Sequence, residues 1–165
     1  MKLTSIQIVN FTTSDYSELL RLLLELHSTY FNKYASPRIK ELQEEKNLKT
    51  SYEIYLNDIA SNKDDVWHIL LAKSETDSIG FIIGSIQEDN SFILDKAGIV
   101  EDWFVDESYR GEGIGLKLYQ ELEKWFILKK CKQVCSETWQ GNELSINSHF
   151  KNGFFISGVT FGKKL

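Results

Sequence analysis

The sequence has little of what several classes of small protein depend on. Its two cysteines, Cys131 and Cys135, have no second pair and no histidine at ligand spacing beside them, so two reduced thiols are expected and no metal site is. No stretch approaches the roughly 18 uncharged apolar residues of a membrane span. The N-terminus MKLTSIQIVN is too polar for a secretory signal. We therefore expect a soluble, cytoplasmic protein with no membrane partner.

The chain also lacks a positive surplus. Its net charge of −5 argues against a nucleic-acid surface and is compatible with a cationic small molecule. With 42% hydrophobic residues, 13% aromatic residues and one proline in 165, the composition is that of a globular protein. We expect one domain over residues 1–165, because the length suffices for a full core and no linker interrupts it.

Hydrophobic spacing divides the chain into alternating strands and helices. Strands are predicted at 4–9, 66–72, 79–86, 98–105, 134–138 and 159–161, and helices from the cap at 12–15 to about 30, from 36–37 to about 48, across 52–59, at 116–126 and at 142–150. The strands at 66–72 and 79–86 should form a hairpin. This order of elements predicts a mixed α/β (α+β) sheet rather than a doubly wound one.

The stretch Arg110-Gly111-Glu112-Gly113-Ile114-Gly115 stands between a predicted strand and a predicted helix. Three glycines there let backbone N–H groups approach a ligand, and the N-terminus of the following helix favours negative charge. The spacing is neither that of a dinucleotide fingerprint nor that of a P-loop, which ends in Gly-Lys-Ser/Thr. The pattern predicts a pyrophosphate cradle of another kind.

The loop follows Val100-Glu101-Asp102-Trp103-Phe104-Val105, and together the two segments resemble the acyl-CoA-binding motif of the GNAT superfamily of N-acetyltransferases. The likeness covers residues 100–154, is closest to the spermidine/spermine N-acetyltransferases, and extends in part to aminoglycoside 6'-N-acetyltransferases. It implies acetyl-CoA as co-substrate and a central mixed sheet of about six to seven strands, splayed at the central strand and flanked by helices. It also leaves a homodimer possible.

The resemblance assigns a set of residues to the acyl donor. A free N–H around Phe104 or Val105 would polarise the thioester carbonyl, which requires a bulge or split near Trp103. The Arg110 side chain could pair with the diphosphate. The residues expected to bind the co-substrate are Trp103, Phe104, Val105, Arg110, Gly111, Glu112, Gly113, Ile114, Gly115 and Asn142.

Two residues are candidates for proton transfer. Glu101 matches the glutamate that takes the basic role in polyamine and aminoglycoside enzymes of the superfamily, and a carboxylate can accept the amine proton directly or through water. Strand alternation puts Glu101 and Asp102 on opposite faces, so only one of them can face the site unless a bulge intervenes. His149 stands where the family's tyrosine is expected, and an imidazole can serve as acid or base.

The sequence therefore predicts an acetyl-CoA-dependent N-acetyltransferase that acts on a primary amine of a small cationic acceptor, such as a polyamine, by direct attack in a ternary complex. An aminoglycoside or a protein N-terminus is an alternative acceptor. Two other classes stay open: a non-catalytic acyl-CoA-binding module, and a nucleotide-binding regulatory domain, against which the loop spacing speaks.

Overall fold

The computed structural model describes residues 5–43, 46–62 and 64–164. It contains five strands and five α-helices within those ranges. In chain order these are β1 (Gln7–Asn10), α1 (Tyr16–Tyr34), α2 (Pro37–Gln43), α3 (Leu48–Ser61), β2 (Trp67–Lys73), β3 (Ser78–Glu88), β4 (Lys96–Val105), α4 (Ile114–Leu128), β5 (Gln133–Ser136) and α5 (Glu143–Lys151). No helix in those ranges is both long and apolar enough to cross a bilayer.

The strands form one sheet in the order β1-β2-β3-β4-β5. All neighbours are antiparallel except β4 and β5, which run parallel and pair only from Ala97–Gln133 to Val100–Ser136. Beyond that point β4 continues for five residues without β5 beside it, since β4 ends at Val105 and β5 at Ser136. The splayed central strand expected from the resemblance is thus present.

Helices cover both faces of the sheet. On one face, Leu19, Leu22 and Leu23 of α1 pack with α3 against β2, β3 and Phe104 of β4. On the other face, Leu118 and other apolar residues of α4 pack against a second set of strand residues. Because strand side chains alternate, each strand supplies both layers, which explains the continuous apolar runs in β2 and β3.

The register between β3 and β4 is interrupted at one place. Ile83 pairs with Asp102 while Gly84 pairs with Val100, so Glu101 is an extra residue on β4. An extra residue of this kind is a β-bulge, which turns two successive side chains toward the same face and re-aims them. The bulge expected near Trp103 lies two residues before it.

Three expectations about the elements need correction. The strand predicted at 159–161 is wrong: residues 152–164 contain no helix or strand, and Val159 and Phe161 are 74% and 90% exposed with no neighbouring strand to pair with. The sheet therefore has five strands instead of six or seven. The helix predicted to run to about residue 48 is described over Pro37–Gln43, and it does not extend to 48, because Asn47 caps a new helix by accepting from Thr50 N–H at 3.2 Å. The strand predicted from residue 4 begins at Gln7, and residue 4 itself lies outside the described residues.

Candidate active site

A cavity of about 620 Å³ lies where β4 and β5 separate. It is lined by α1, α3, the second half of β4, the glycine loop, the end of β5 and α5. Its size is typical of a small-molecule site. Most of the residues predicted from the sequence line it: Glu101, Trp103, Val105, Arg110, Gly111, Gly113, Ile114, Gly115, Asn142 and His149. Phe104 and Glu112 do not, although they were expected to bind the co-substrate.

The glycine loop presents unbonded amides at one end of the cavity. Arg110 N–H donates to Glu107 C=O and Lys117 N–H donates to Gly113 C=O, whereas the amides between them, 111–116, have no acceptor among the described residues. Gly111 and Gly113 have φ of 84° and 77°, and a Cβ at either would point into open space. These N–H groups precede the N-terminus of α4, where an anion is stabilised. The loop fits a diphosphate.

The Arg110 side chain contacts the end of β4 and two aromatic rings. Its Nε donates to Val105 C=O at 2.9 Å, and the guanidinium carbon lies 5.5 Å and 5.8 Å from the ring centres of Tyr30 and Phe104. Its NH1 is 4.0 Å from the exposed carboxylate of Glu107. In this position the arginine links the end of β4 to Tyr30 of α1.

This position of Arg110 leads to a testable expectation. Replacing Arg110 with Gln should raise the KM for acetyl-CoA by less than about tenfold, while the lost bond to Val105 and the lost aromatic contacts should destabilise the fold by about 1 kcal/mol. Kinetics and denaturant unfolding would be measured together, with exposed Arg38→Gln as the charge-matched control. A hundredfold rise in KM at unchanged stability would instead assign the guanidinium to the diphosphate.

The amides at the end of β4 alternate between two neighbours. Asp106 N–H donates to Ile79 C=O at 2.8 Å, and Phe104 pairs with Phe81. Because bonded pairs recur at every second residue of an antiparallel ladder, the Phe104 amide is directed at β3 and the Val105 amide at the opposite edge, where β5 has ended. The expected carbonyl-polarising donor therefore narrows to Val105. Phe104, 1% exposed, is a core residue.

The bulge brings both acids of β4 to one face. Glu101 accepts a hydrogen bond from the hydroxyl of Ser85, and Asp102 accepts one from Tyr55 of α3 at 3.1 Å. Both side chains line the cavity. Strict alternation would have separated them, so the sequence-based choice between the two acids does not apply. Among the described residues neither carboxylate forms an ion pair with lysine or arginine.

Burial raises the pKa of Asp102 to about 6. The hydrogen bond from Tyr55 opposes that rise, and the neighbouring charge of Glu101 adds to it. Burial and the same two acids also raise the pKa of the Tyr55 hydroxyl, which keeps it a hydrogen-bond donor. The cavity thus holds one carboxyl whose charge is costly unless a cation lies beside it.

Asp102 should make the stability of the protein depend on pH. A carboxyl with a raised folded-state pKa contributes most below its ordinary pKa of about 4, and the contribution is lost as the pH rises through about 6. From pH 4 to pH 7, the free energy of unfolding should fall in the unaltered chain by about 2 to 3 kcal/mol relative to Asp102→Asn. Urea unfolding of both proteins at pH 4, 5.5 and 7 measures this. A constant difference would contradict the raised pKa.

His149 lies on α5 at the cavity wall, opposite Trp103. Its Nδ1 is 2.7 Å from Ser145 C=O and its Nε2 is 2.8 Å from the Ser136 hydroxyl. The ring meets Trp103 edge-on at 5.7 Å and Phe154 at 5.1 Å. Nδ1 also lies 3.4 Å from the Ser145 hydroxyl, and these polar contacts together with the two aromatic contacts hold the imidazole in one orientation.

Asn142 is buried and begins α5, where its side chain accepts from Ser145 N–H at 3.2 Å. This capping bond accounts for the asparagine at that place. Its side-chain amide can still face the cavity that the residue lines. Trp103 packs close to the first turn of α4: a Cβ added at Gly115 would lie 3.3 Å from the indole nitrogen of Trp103.

Sequence reasoning missed three residues of the site. Asp102 was expected to share the face of Glu101 only if a bulge intervened, and the residue at which the bulge falls depends on how β4 pairs with β3. Tyr55 and Ser136 come from α3 and β5, and their positions depend on tertiary packing alone. Aromatic residues of α1 and of the segment after β5 also line the cavity: Tyr30, Phe31 and Trp139.

The cavity has unbonded loop amides at a helix N-terminus, a splayed strand and a carboxylate at a bulge. This arrangement agrees with the one that the motif implied. Residues 20–154 match the model of the Acetyltransferase (GNAT) family. The chain belongs to the GNAT acetyltransferase family. Among curated relatives, the aminoglycoside N(6')-acetyltransferase type 1 proteins of Salmonella typhimurium and Salmonella enteritidis are each 30% identical over 86 residues. That match covers 51% of this chain and 59% of each relative.

Solved structures of GNAT proteins share the fold. The aminoglycoside N-acetyltransferase AAC(6')-Iy in complex with CoA superimposes with a TM-score of 0.76 at 20% identity, over 98% of this chain and 95% of that one. The ribosomal-protein-alanine N-acetyltransferase of Brucella melitensis biovar Abortus gives a TM-score of 0.68 at 15% identity, over 98% and 100%. At these identities the likeness establishes the architecture, including the mixed sheet, and leaves the acceptor open.

Proposed function

We propose that this GNAT protein, as one domain, transfers the acetyl group of acetyl-CoA to a primary amine of an aminoglycoside-like polycation. The observation that carries the proposal is the cavity itself. It holds unbonded amides for a diphosphate at one end and, at the other, two carboxylates that form no ion pair with lysine or arginine among the described residues. A donor with a diphosphate and an acceptor with several ammonium groups match those two ends.

The donor end combines the loop with the open edge of β4. The amides of Gly111 to Gly115 would bind the diphosphate of acetyl-CoA, which supplies the activated acetyl group as a thioester. The gap between β4 and β5 leaves room for the rest of the donor beside Trp103. The Val105 amide, unbonded to β5, would donate to the carbonyl oxygen as negative charge develops there.

The acceptor end is acidic and aromatic. Glu101 and Asp102 stand on one face, and Tyr30, Phe31 and Trp139 line the same cavity. Aromatic ring faces attract cations, and a carboxylate beside a cation stays charged. In the reaction Glu101 would accept a proton from the bound ammonium group, directly or through water, so that the neutral amine attacks the thioester carbonyl. His149, on the other side of Trp103, would be the source of the proton that the departing thiolate takes up.

The kind of enzyme found among the relatives favours an aminoglycoside over a linear polyamine as the acceptor. The curated relatives are aminoglycoside enzymes, and one structural neighbour, with a TM-score of 0.73 at 21% identity, carries a bisubstrate analogue made of CoA and an acetylneamine. The polyamine acceptor expected from the motif has no such support and is kept as the second candidate, because paired acids between aromatic walls would also suit a chain of amines.

A thiol-release assay tests the proposal. Acetyl-CoA would be offered with kanamycin, with spermidine and with a peptide that has a free N-terminal alanine, each at several concentrations. We expect the highest kcat/KM for kanamycin, with acetylation at one amine shown by mass spectrometry. Preference for spermidine would select the second candidate. Release of no thiol with any acceptor, together with tight binding of CoA in calorimetry, would reveal a non-catalytic acyl-CoA-binding module and overturn the proposal.

A further inference from the structure

His149 lines the cavity, both of its ring nitrogens have hydrogen-bond partners, and the partner of Nε2 is the hydroxyl of Ser136. We propose that the Ser136 hydroxyl is the group that gives its proton to the departing CoA thiolate, and that His149 resupplies that hydroxyl. This inference rests on the proposed acetyl transfer and assigns to Ser136 a catalytic role that the sequence motif does not suggest. Three features of the structure support it.

The first is the hydrogen bonding of the imidazole. Ser145 C=O can only accept, so the Nδ1 atom of His149, 2.7 Å away, carries a proton in both charge states. The neutral ring must then accept at Nε2, and Ser136 Oγ at 2.8 Å is the donor. When the ring is protonated, Nε2 becomes the donor to the same oxygen. Either way, a proton leaving His149 for the cavity encounters Ser136 first.

The second feature is the position of Ser136 in the sheet. It is the last residue of β5 and pairs with Val100, the last residue of β4 with a partner on that side. The gap between the strands opens directly beyond this pair, and Ser136 lines the cavity there with Trp103. Ser136 therefore stands at the point where the unpaired part of β4 begins.

The third feature is the confinement of the ring. Trp103 and Phe154 contact the imidazole edge-on, at 5.7 Å and 5.1 Å between ring centres. Turning the ring to present another nitrogen would break the bond to Ser145 and disturb both aromatic contacts. The orientation that places Nε2 on Ser136 is thus the one the packing supports.

The proposed step conserves protons and electrons. As the tetrahedral intermediate collapses, the carbon–sulfur bond breaks and its electron pair stays on sulfur. The sulfur takes the proton of the Ser136 hydroxyl, whose oxygen takes the Nε2 proton of the His149 imidazolium. The attacking nitrogen gives up its second proton to solvent as the amide forms, and His149 takes up one proton from solvent. The products are therefore the acetylated amine, CoA thiol, an intact serine, His149 in its starting state and the one amine proton held by Glu101.

The test compares Ser136→Ala, Ser136→Thr and His149→Gln with the unaltered chain, with exposed Ser157→Ala as the control. We expect Ser136→Ala and His149→Gln each to lower kcat by about 100-fold, as for the loss of a general acid, with the KM for acetyl-CoA changed less than about threefold. Ser136→Thr keeps the hydroxyl and should retain kcat within about fivefold. The double variant should be no slower than either single one, because both residues act in one relay.

Nitrogen NMR of the imidazoles adds a readout that does not depend on turnover. The His149 signals, identified by their loss in His149→Gln, should show a protonated Nδ1 and an accepting Nε2, and the Nε2 signal should shift in Ser136→Ala. A kcat of Ser136→Ala within threefold of the unaltered value, beside a 100-fold loss in His149→Gln, would overturn the relay and make His149 the direct donor. An inactive unaltered chain would overturn the proposed function instead, and the relay step with it.

Discussion

Replacing Glu101 with Gln should lower kcat by about 100-fold to 1,000-fold, while the KM for acetyl-CoA stays within about twofold. The amide keeps the shape of the side chain and can still accept the hydrogen bond from Ser85, but it cannot take a proton from an ammonium group. The donor site should be unaffected, because it is built from the loop at the other end of the cavity. Steady-state kinetics between pH 6 and pH 9 measure both parameters.

The control for this change is Glu75→Gln, an exposed glutamate in the β2–β3 turn. It should leave both parameters unchanged, since the net charge alters equally in the two variants. Equal activity of Glu101→Gln and the unaltered chain across that pH range would remove Glu101 from the mechanism. If the kcat of Glu101→Gln recovered at high pH, Asp102 would be acting as a substitute base. The double variant Glu101→Gln, Asp102→Asn should then show no such recovery.

The acidic face of β4 shows where the sequence is informative and where it is not. The motif around Glu101 was readable because the residue types and their spacing from the glycine loop are local. The bulge was expected only as a break near Trp103, and its residue could not be read, because it depends on which β3 residue pairs with which β4 residue. A shift of one place decides whether Asp102 faces the cavity or the core.

The C-terminal segment and the glycine loop illustrate the same limit. The alternating apolar pattern at 159–161 suits a strand, yet a strand forms only beside another, and β5 has β4 as its sole partner among the described residues. Conversely, Gly111 and Gly113 were predicted correctly as a loop at the start of a helix, since the requirement for positive φ is a property of each residue itself. A residue's own backbone requirement can be predicted from the sequence, whereas the strand that will pair with a given segment cannot.

Changing Gly111 and Gly113 together to Asn should weaken acetyl-CoA binding by about 100-fold or more. Asparagine adopts positive φ more readily than other side chains, so the backbone at 84° and 77° can persist with little strain. Each new side chain would extend into the open space beside the loop amides, in front of the groups that the diphosphate needs. Calorimetric titration with acetyl-CoA gives the Kd, and urea unfolding shows whether the fold is retained.

Gly153→Asn is the matched control for the loop variant. Gly153 also has a positive φ, 83°, and open space at its Cβ, but it follows α5 and does not line the cavity. Its replacement should cost a similar small amount of stability and leave the Kd unchanged. If the loop variant bound acetyl-CoA as tightly as the control does, the amides of residues 111–116 would not hold the diphosphate, and the donor would have to bind elsewhere on the fold. Weaker acetyl-CoA binding in the loop variant alone would instead show that the new side chains block access to the loop amides. The positive φ could not be the cause, because Gly153 has it as well.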